Sequence, residues 1–179
     1  MVEAISQVLT GLGLSGSAGL NAYLPLLIVA LMARFTGLIR LKEPYDALTS
    51  WWAIGILALL LMVEMAVDKI PGLDSINDAV QSFIRPAAGA VLFAASANAI
   101  SEIHPALALL CGFILAGGVH AVKATARPAV TGLSFSFLNP LVSLAEDIIA
   151  TAVSILAIVV PLLMAFLLLV LIFLVIRWH

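Results

Sequence analysis

Residues 51–69, WWAIGILALLLMVEMAVDK, run from Trp51 to Met62 without a charged side chain and then present Glu64, Asp68 and Lys69. In a helix, about 20 mainly apolar residues cross the roughly 30 Å of a bilayer's hydrocarbon, so the run reads as a membrane span. A charge facing lipid near the bilayer centre costs roughly 2.5–3.5 kcal/mol on insertion scales, so Glu64 is expected to turn towards other helices. Asp68, one helical turn on, shares that face, while Lys69 points about 100° away. The plainer alternative leaves Asp68 and Lys69 at the interface, paired or reaching for headgroups, with Glu64 making a single interhelical hydrogen bond. A glutamine would make that bond without an ionisation penalty, so Glu64 reads more naturally as part of a polar site.

The rest of the chain agrees with this reading. Its 179 residues are 64% hydrophobic and 10% charged, against roughly 25% charged in soluble domains. The expected fold is a single all-α domain over residues 1–179, a polytopic transmembrane helical bundle. The net charge of −2 offers no basic footprint for nucleic acid or an anionic lipid surface. Cys111, the only cysteine, excludes an intramolecular disulfide and any multi-cysteine metal cluster, and its apolar surroundings mark it as a packing residue. The opening MVEAISQVLTGLGLSG lacks the basic residues of a cleaved signal peptide, so the first hydrophobic helix is expected to stay.

Five or six spans are expected: residues 14–35, 51–70, 86–99, 105–122, and a tail, 141–179, that is too long for one crossing at about 58 Å. Pro161 should divide that tail into two short helices. Residues 36–46 form a polar loop and 101–105 a turn. The proline-bounded segments 71–86 and 127–140 suit short interfacial or re-entrant helices. Each follows a helix ending in ionisable residues, VEMAVDKIP or VHAVKATARP, which suggests two related units over about 14–85 and 86–160. With those segments not crossing, Arg34, Arg40 and Lys42 face Lys69, Arg85, Lys123, Arg127 and Arg177 across the membrane. That bias predicts both termini in the cytoplasm and residence in the inner membrane.

Four further places carry candidate chemistry. His120 and Lys123 share a helix face after Gly117 and Gly118, which should let helices approach. Histidine titrates near neutrality, and a facing Glu64 would make a proton-exchanging pair; the alternative is a neutral histidine bonded to a backbone carbonyl. Glu146 and Asp147, two turns into a helix opened by Asn139 and Pro140, either oppose the helix dipole or pair with Arg85 or Arg127. SGSAGLNAYLP, residues 15–25, has the composition of a broken helix in which Asn21 supplies neutral ligands; the alternative is ordinary tight helix packing through its small residues. Asn98 reads as an interhelical hydrogen-bond donor. No histidine or cysteine spacing suits a metal, and no G-x-S-x-G, H-E-x-x-H or phosphate-loop motif is present, so neither an enzyme nor a cofactor is expected.

The motifs SAGLNAYLPLL, DKIPGLDSIND, FIRPAAGA, VHAVKATAR and VSLAED, in this order over residues 15–160, resemble a family of prokaryotic and plant membrane proteins catalogued as domain of unknown function 4126. The chain departs from that pattern at Val119, where the family carries Thr, and at Ala87, where it carries a second Pro. The resemblance implies an integral membrane protein and places Asn21, Asp68, Lys69, Asp74, Arg85, His120, Lys123, Arg127, Glu146 and Asp147 on motif positions. The expected function is membrane transport of a small or anionic substrate. Glu64, Asp68, His120, Glu146 and Asp147 would couple protons or ions, and Asn21, Arg85, Lys123 and Arg127 would bind substrate. The alternative is a non-catalytic scaffold or accessory subunit of a membrane complex. Implied partners are membrane lipids, a small molecule or ion and, as an open alternative, a second copy of the chain; nucleic acid is not among them.

Overall fold

In the computed structural model the chain is described over residues 2–67, 73–97, 103–134 and 139–161 and at positions 163, 166, 170, 173 and 177. The side chains of residues 2, 73–76, 78, 127–134 and 139 lie outside that description. The described residues are all-α: α1 Val2–Leu20, α2 Tyr23–Phe35, α3 Trp51–Val67, α4 Leu73–Ala97, α5 Pro105–Ser134 and α6 Asn139–Val159, with a short 3-10 helix at Tyr45–Thr49. Helix α1 is the hub and packs against α4, α5 and α6, while α4 and α5 form the closest helix pair. Helix α3 leans mainly on α2.

Side-chain contacts fix the directions. Thr10 Oγ1 donates to Ala157 O at 2.8 Å, Ser154 Oγ to Ser17 Oγ at 2.9 Å and Asn21 Nδ2 to Asp147 Oδ1 at 2.9 Å, so α1 and α6 run antiparallel. Ser15 Oγ donates to Gly89 O at 2.8 Å, on the antiparallel α4. Helix α5 runs parallel to α1, since Lys123 reaches Leu20 O at 3.0 Å and Gly19 abuts Ala116 and Val119. The loop after α2 returns to the start of α1, where Leu38, Ile39 and Arg40 line one cavity with Glu3, Ser6 and Gln7. Helices α1 and α2 are therefore the two arms of a hairpin whose tip is Asn21 and Ala22.

This hairpin corrects the expected single span at residues 14–35. The apolar run is continuous, but Asn21 Oδ1 accepts from Tyr23 N at 3.1 Å and Leu24 N at 2.9 Å, capping a new helix where the old one stops. It also places Arg34, Arg40 and Lys42 at the same end as the start of α1, not at the opposite one. The proline-bounded segments are not separate short helices over their described residues. Residues 73–86 are the first half of α4, which continues through Pro86, and α5 continues through Pro128 to Ser134. A proline is tolerated inside a membrane helix when neighbours satisfy the freed backbone groups. Helix α6 ends at Val159, two residues before Pro161, as expected from the missing amide of proline. Leu163 N then bonds Val160 O at 3.0 Å.

Two helices, Pro105–Ala126 and Pro140–Val159, are long and apolar enough to cross a membrane, with mean hydropathies of 1.9 and 2.0. Only 22% and 28% of those windows are buried inside the protein, unlike the core helix of a soluble domain. Leu107, Leu110, Phe113 and Ile114 on α5, Ile148 and Ile155 on α6, and Trp52, Ile56, Leu59 and Met62 on α3 all face outwards. Apolar surface this extensive does not face water. The chain is membrane-associated.

Small residues close the middle of the bundle. Gly89 of α4 meets Gly112 of α5 so tightly that a Cβ on Gly112 would collide with Gly89 O and stand 2.7 Å from Phe93 Cβ. Close backbone approach of this kind drives helix association where lipid removes the hydrophobic incentive. The expected contact at Gly117 and Gly118 lies a turn too far along. Gly118 has open space beside it, and Gly117 faces Pro86 at ordinary contact distance. Leu14, Ala18, Ala22, Val29, Leu92, Ala116 and Ala157 complete the core.

Candidate functional site

At the hairpin tip the packing changes from small and apolar to charged. Glu64 comes from the last turn of α3, Arg85 from the middle of α4, His120 and Lys123 from α5, Glu146 and Asp147 from α6, and Asn21 from the tip itself. Arg85 is 0% exposed, Glu64 2%, His120 4%, Lys123 6% and Asp147 8%. A transmembrane bundle buries such groups only when they meet partners, because an uncompensated charge costs several kcal/mol.

Arg85 is the centre. Its Nη2 donates to Glu64 Oε1 at 3.0 Å. Its Nη1 lies 3.1 Å from His120 Nδ1. A guanidinium has no acceptor, so Nδ1 must offer its lone pair. With Nδ1 unprotonated, the ring hydrogen sits on Nε2 and is donated to Ser82 Oγ, 3.0 Å away. The imidazole in this arrangement is thus neutral, held in one tautomer by two side chains of α4. Arg85 stands between Glu64 and His120, so the expected pair is a triad with the guanidinium as its link.

A second group surrounds the hairpin tip. Lys123 Nζ lies 2.8 Å from Glu146 Oε2 and donates to Leu20 O at 3.0 Å, placing a cation on the carbonyl end of α1. Asp147 accepts from Asn21 beside the amide end of α2, where a carboxylate is favoured by the dipole. The two interrupted helix ends therefore each meet a charge of suitable sign. Among the described residues Glu146 pairs with Lys123, a contact that the spacing of charges along the chain did not indicate. Asp68 and Lys69 lie outside the described residues, as does Asn98, and the side chains of Asp74 and Arg127 lie outside them too.

Three residues of the site had escaped sequence reasoning. Gln81 lies buried one turn before Arg85 on α4, Ser82 meets His120 from a more exposed position beside it, and Tyr23 of α2 stands near Gln81, Glu64 and Arg85. Gln81 is 2% exposed and its Oε1 accepts no hydrogen bond among the described residues. A residue sequence read as a connector hides such a face; once 73–85 is helical, the spacing of Gln81 and Arg85 is the signal.

The fold and the layer define an all-α, membrane-associated bundle in which ionisable groups from α3, α4, α5 and α6 gather around a broken hairpin. The chain belongs to the family described as Domain of unknown function (DUF4126), whose model matches residues 8–179. No curated protein and no solved structure matches it.

Proposed function

We propose that the chain is a membrane transport protein that moves a small anion together with a proton. The observation that carries this reading is the position of Arg85, which binds a carboxylate on one side and an imidazole on the other with all three groups sealed from solvent. Intramembrane ionisable groups at discontinuous helices are where transporters place substrate and coupling sites. Protonation of Glu64 would break its ion pair with Arg85 Nη2. The released guanidinium would then donate to an anionic oxygen of the substrate, and loss of the proton on the other side would restore the Glu64 pair and expel the anion. One proton thus accompanies one bound anionic group. His120 keeps Arg85 oriented, and Lys123 with Glu146 and Asp147 with Asn21 hold the hairpin tip against which substrate would lodge.

The same reading puts the chain in the inner membrane, and the positive-inside tendency supports a cytoplasmic side for the start of α1. Arg34, Arg40 and Lys42 are exposed at that end, whereas Arg85 and Lys123 are buried in pairs and do not count as loop charge.

A scaffold or accessory subunit is the second reading, favoured by the same pairing, since charges neutralised within the bundle also hold helices together. The two separate in liposomes containing a pH-sensitive dye and given inorganic phosphate, sulfate, chloride or succinate outside. Transport predicts dye-reported proton influx with at least one of these anions, abolished by Glu64→Gln in protein that stays folded. Absence of anion-dependent influx in the native protein, or influx unchanged in the variant, contradicts transport and leaves the scaffold.

A further inference from the structure

We infer that the end of the bundle opposite the charged layer holds a binding site for a zwitterion that carries an ammonium and an anionic oxygen, the chemistry of a phosphoethanolamine headgroup. A cavity of about 220 Å³ opens there between the first turns of α1, the loop after α2 and the last turns of α4 and α6. A water occupies roughly 30 Å³ of liquid, so the space holds several waters or one small headgroup. Glu3 and Gln7 line it from α1, Arg40 from the loop and Ser96 from α4. Ile158, from the last turn of the membrane-length α6, sets its level at the edge of the apolar slab.

The charges give the ligand its polarity. Glu3 and Arg40 have opposite signs and share one cavity, yet neither makes an ion pair or side-chain hydrogen bond with another described residue. They stand across the space rather than against each other. A ligand with its anionic oxygen on Arg40 and its ammonium on Glu3 satisfies both at once. The Ser96 hydroxyl donates to Leu92 O at 2.9 Å, which leaves its oxygen as an acceptor for ammonium hydrogens, and the Gln7 amide supplies a further acceptor and donor. A choline headgroup has no N–H to give and fits this set poorly, and a glycerol headgroup has no cation for Glu3. This site lies at the other end of the bundle from Arg85 and does not depend on the transport reading.

The test uses the full chain in detergent, with thermal unfolding followed on addition of dioleoyl phosphatidylethanolamine, the matching phosphatidylcholine and phosphatidylglycerol, or free O-phosphoethanolamine. The ethanolamine lipid or the free zwitterion is expected to raise Tm more than the other two lipids. Glu3→Gln and Arg40→Gln, both at exposed positions that leave the core intact, should each weaken that effect by about tenfold in ligand concentration, the worth of one charge-assisted hydrogen bond. A response to the lipid alone identifies a membrane headgroup, and a response to O-phosphoethanolamine identifies a free zwitterion. Equal stabilisation by phosphatidylcholine, or an ethanolamine effect that survives both substitutions, overturns the assignment.

Discussion

Helices α1, α4 and α5 are held together in two different ways along their length. In the middle, Gly89, Gly112 and Ala116 bring backbones into contact with nothing larger than a methyl group between them. About one turn beyond, the same helices part enough to admit Arg85, His120 and Lys123, and are joined by charge-assisted bonds instead. The seam is fixed by shape, so it tolerates no added atom. The layer is fixed by complementarity, so it tolerates no missing partner. A bundle meant only to be stable could have continued the seam; buried ion pairs are weak contributors to stability and strong liabilities when broken.

The contrast orders the effects of substitution. Arg85→Leu should be the most damaging, because it takes the guanidinium from a buried Glu64 and His120 at once; a loss of about 3–5 kcal/mol is expected, read as thermal unfolding in lipid nanodiscs. Gly112→Val should follow, with about 1–3 kcal/mol from forced separation of α4 and α5. If the valine variant proves the worse of the two, the seam rather than the layer dominates. Asn21→Ala removes the cap of α2 and the donor to Asp147, for about 1 kcal/mol, and should raise hydrogen exchange at Tyr23 and Leu24 before it alters the rest of the fold. Ser15→Ala, which deletes only the bond to Gly89 O, should be smallest at about 0.6 kcal/mol, a typical interhelical hydrogen bond in a membrane protein. A Ser15 effect as large as that of Asn21 would mean that the seam also depends on polar contacts.

Much of the layer was legible from residue chemistry. The insertion penalty of a carboxylate turned Glu64 inwards, the spacing of His120 and Lys123 put them on one face, and the composition around Asn21 announced a broken helix. What could not be read was which helices are neighbours. Arg85 as the link between Glu64 and His120, and Lys123 as a partner of Glu146, are facts of tertiary packing, and no periodicity encodes them. The reversal at Asn21 was hidden for a different reason. Hydropathy from 14 to 35 is uninterrupted, and one amide side chain that caps α2 changes the direction of the chain without changing its polarity. The continuity of α4 through Pro86 was masked by the rule that proline ends helices, which fails where packing in a bundle satisfies the backbone. The cavity at the far end joins residues from both ends of the chain and from the middle, a juxtaposition that follows only from the hairpin.

The charged layer requires that Glu64 and Arg85 meet inside the bundle. A double-mutant cycle with Glu64→Gln, Arg85→Gln and the combined variant, followed by unfolding in lipid nanodiscs, measures that meeting. The two groups in contact predict that the double variant is less destabilised than the sum of the single ones, by more than about 0.5 kcal/mol. Effects that simply add, within about 0.3–0.5 kcal/mol, would place the carboxylate and the guanidinium apart and remove the site.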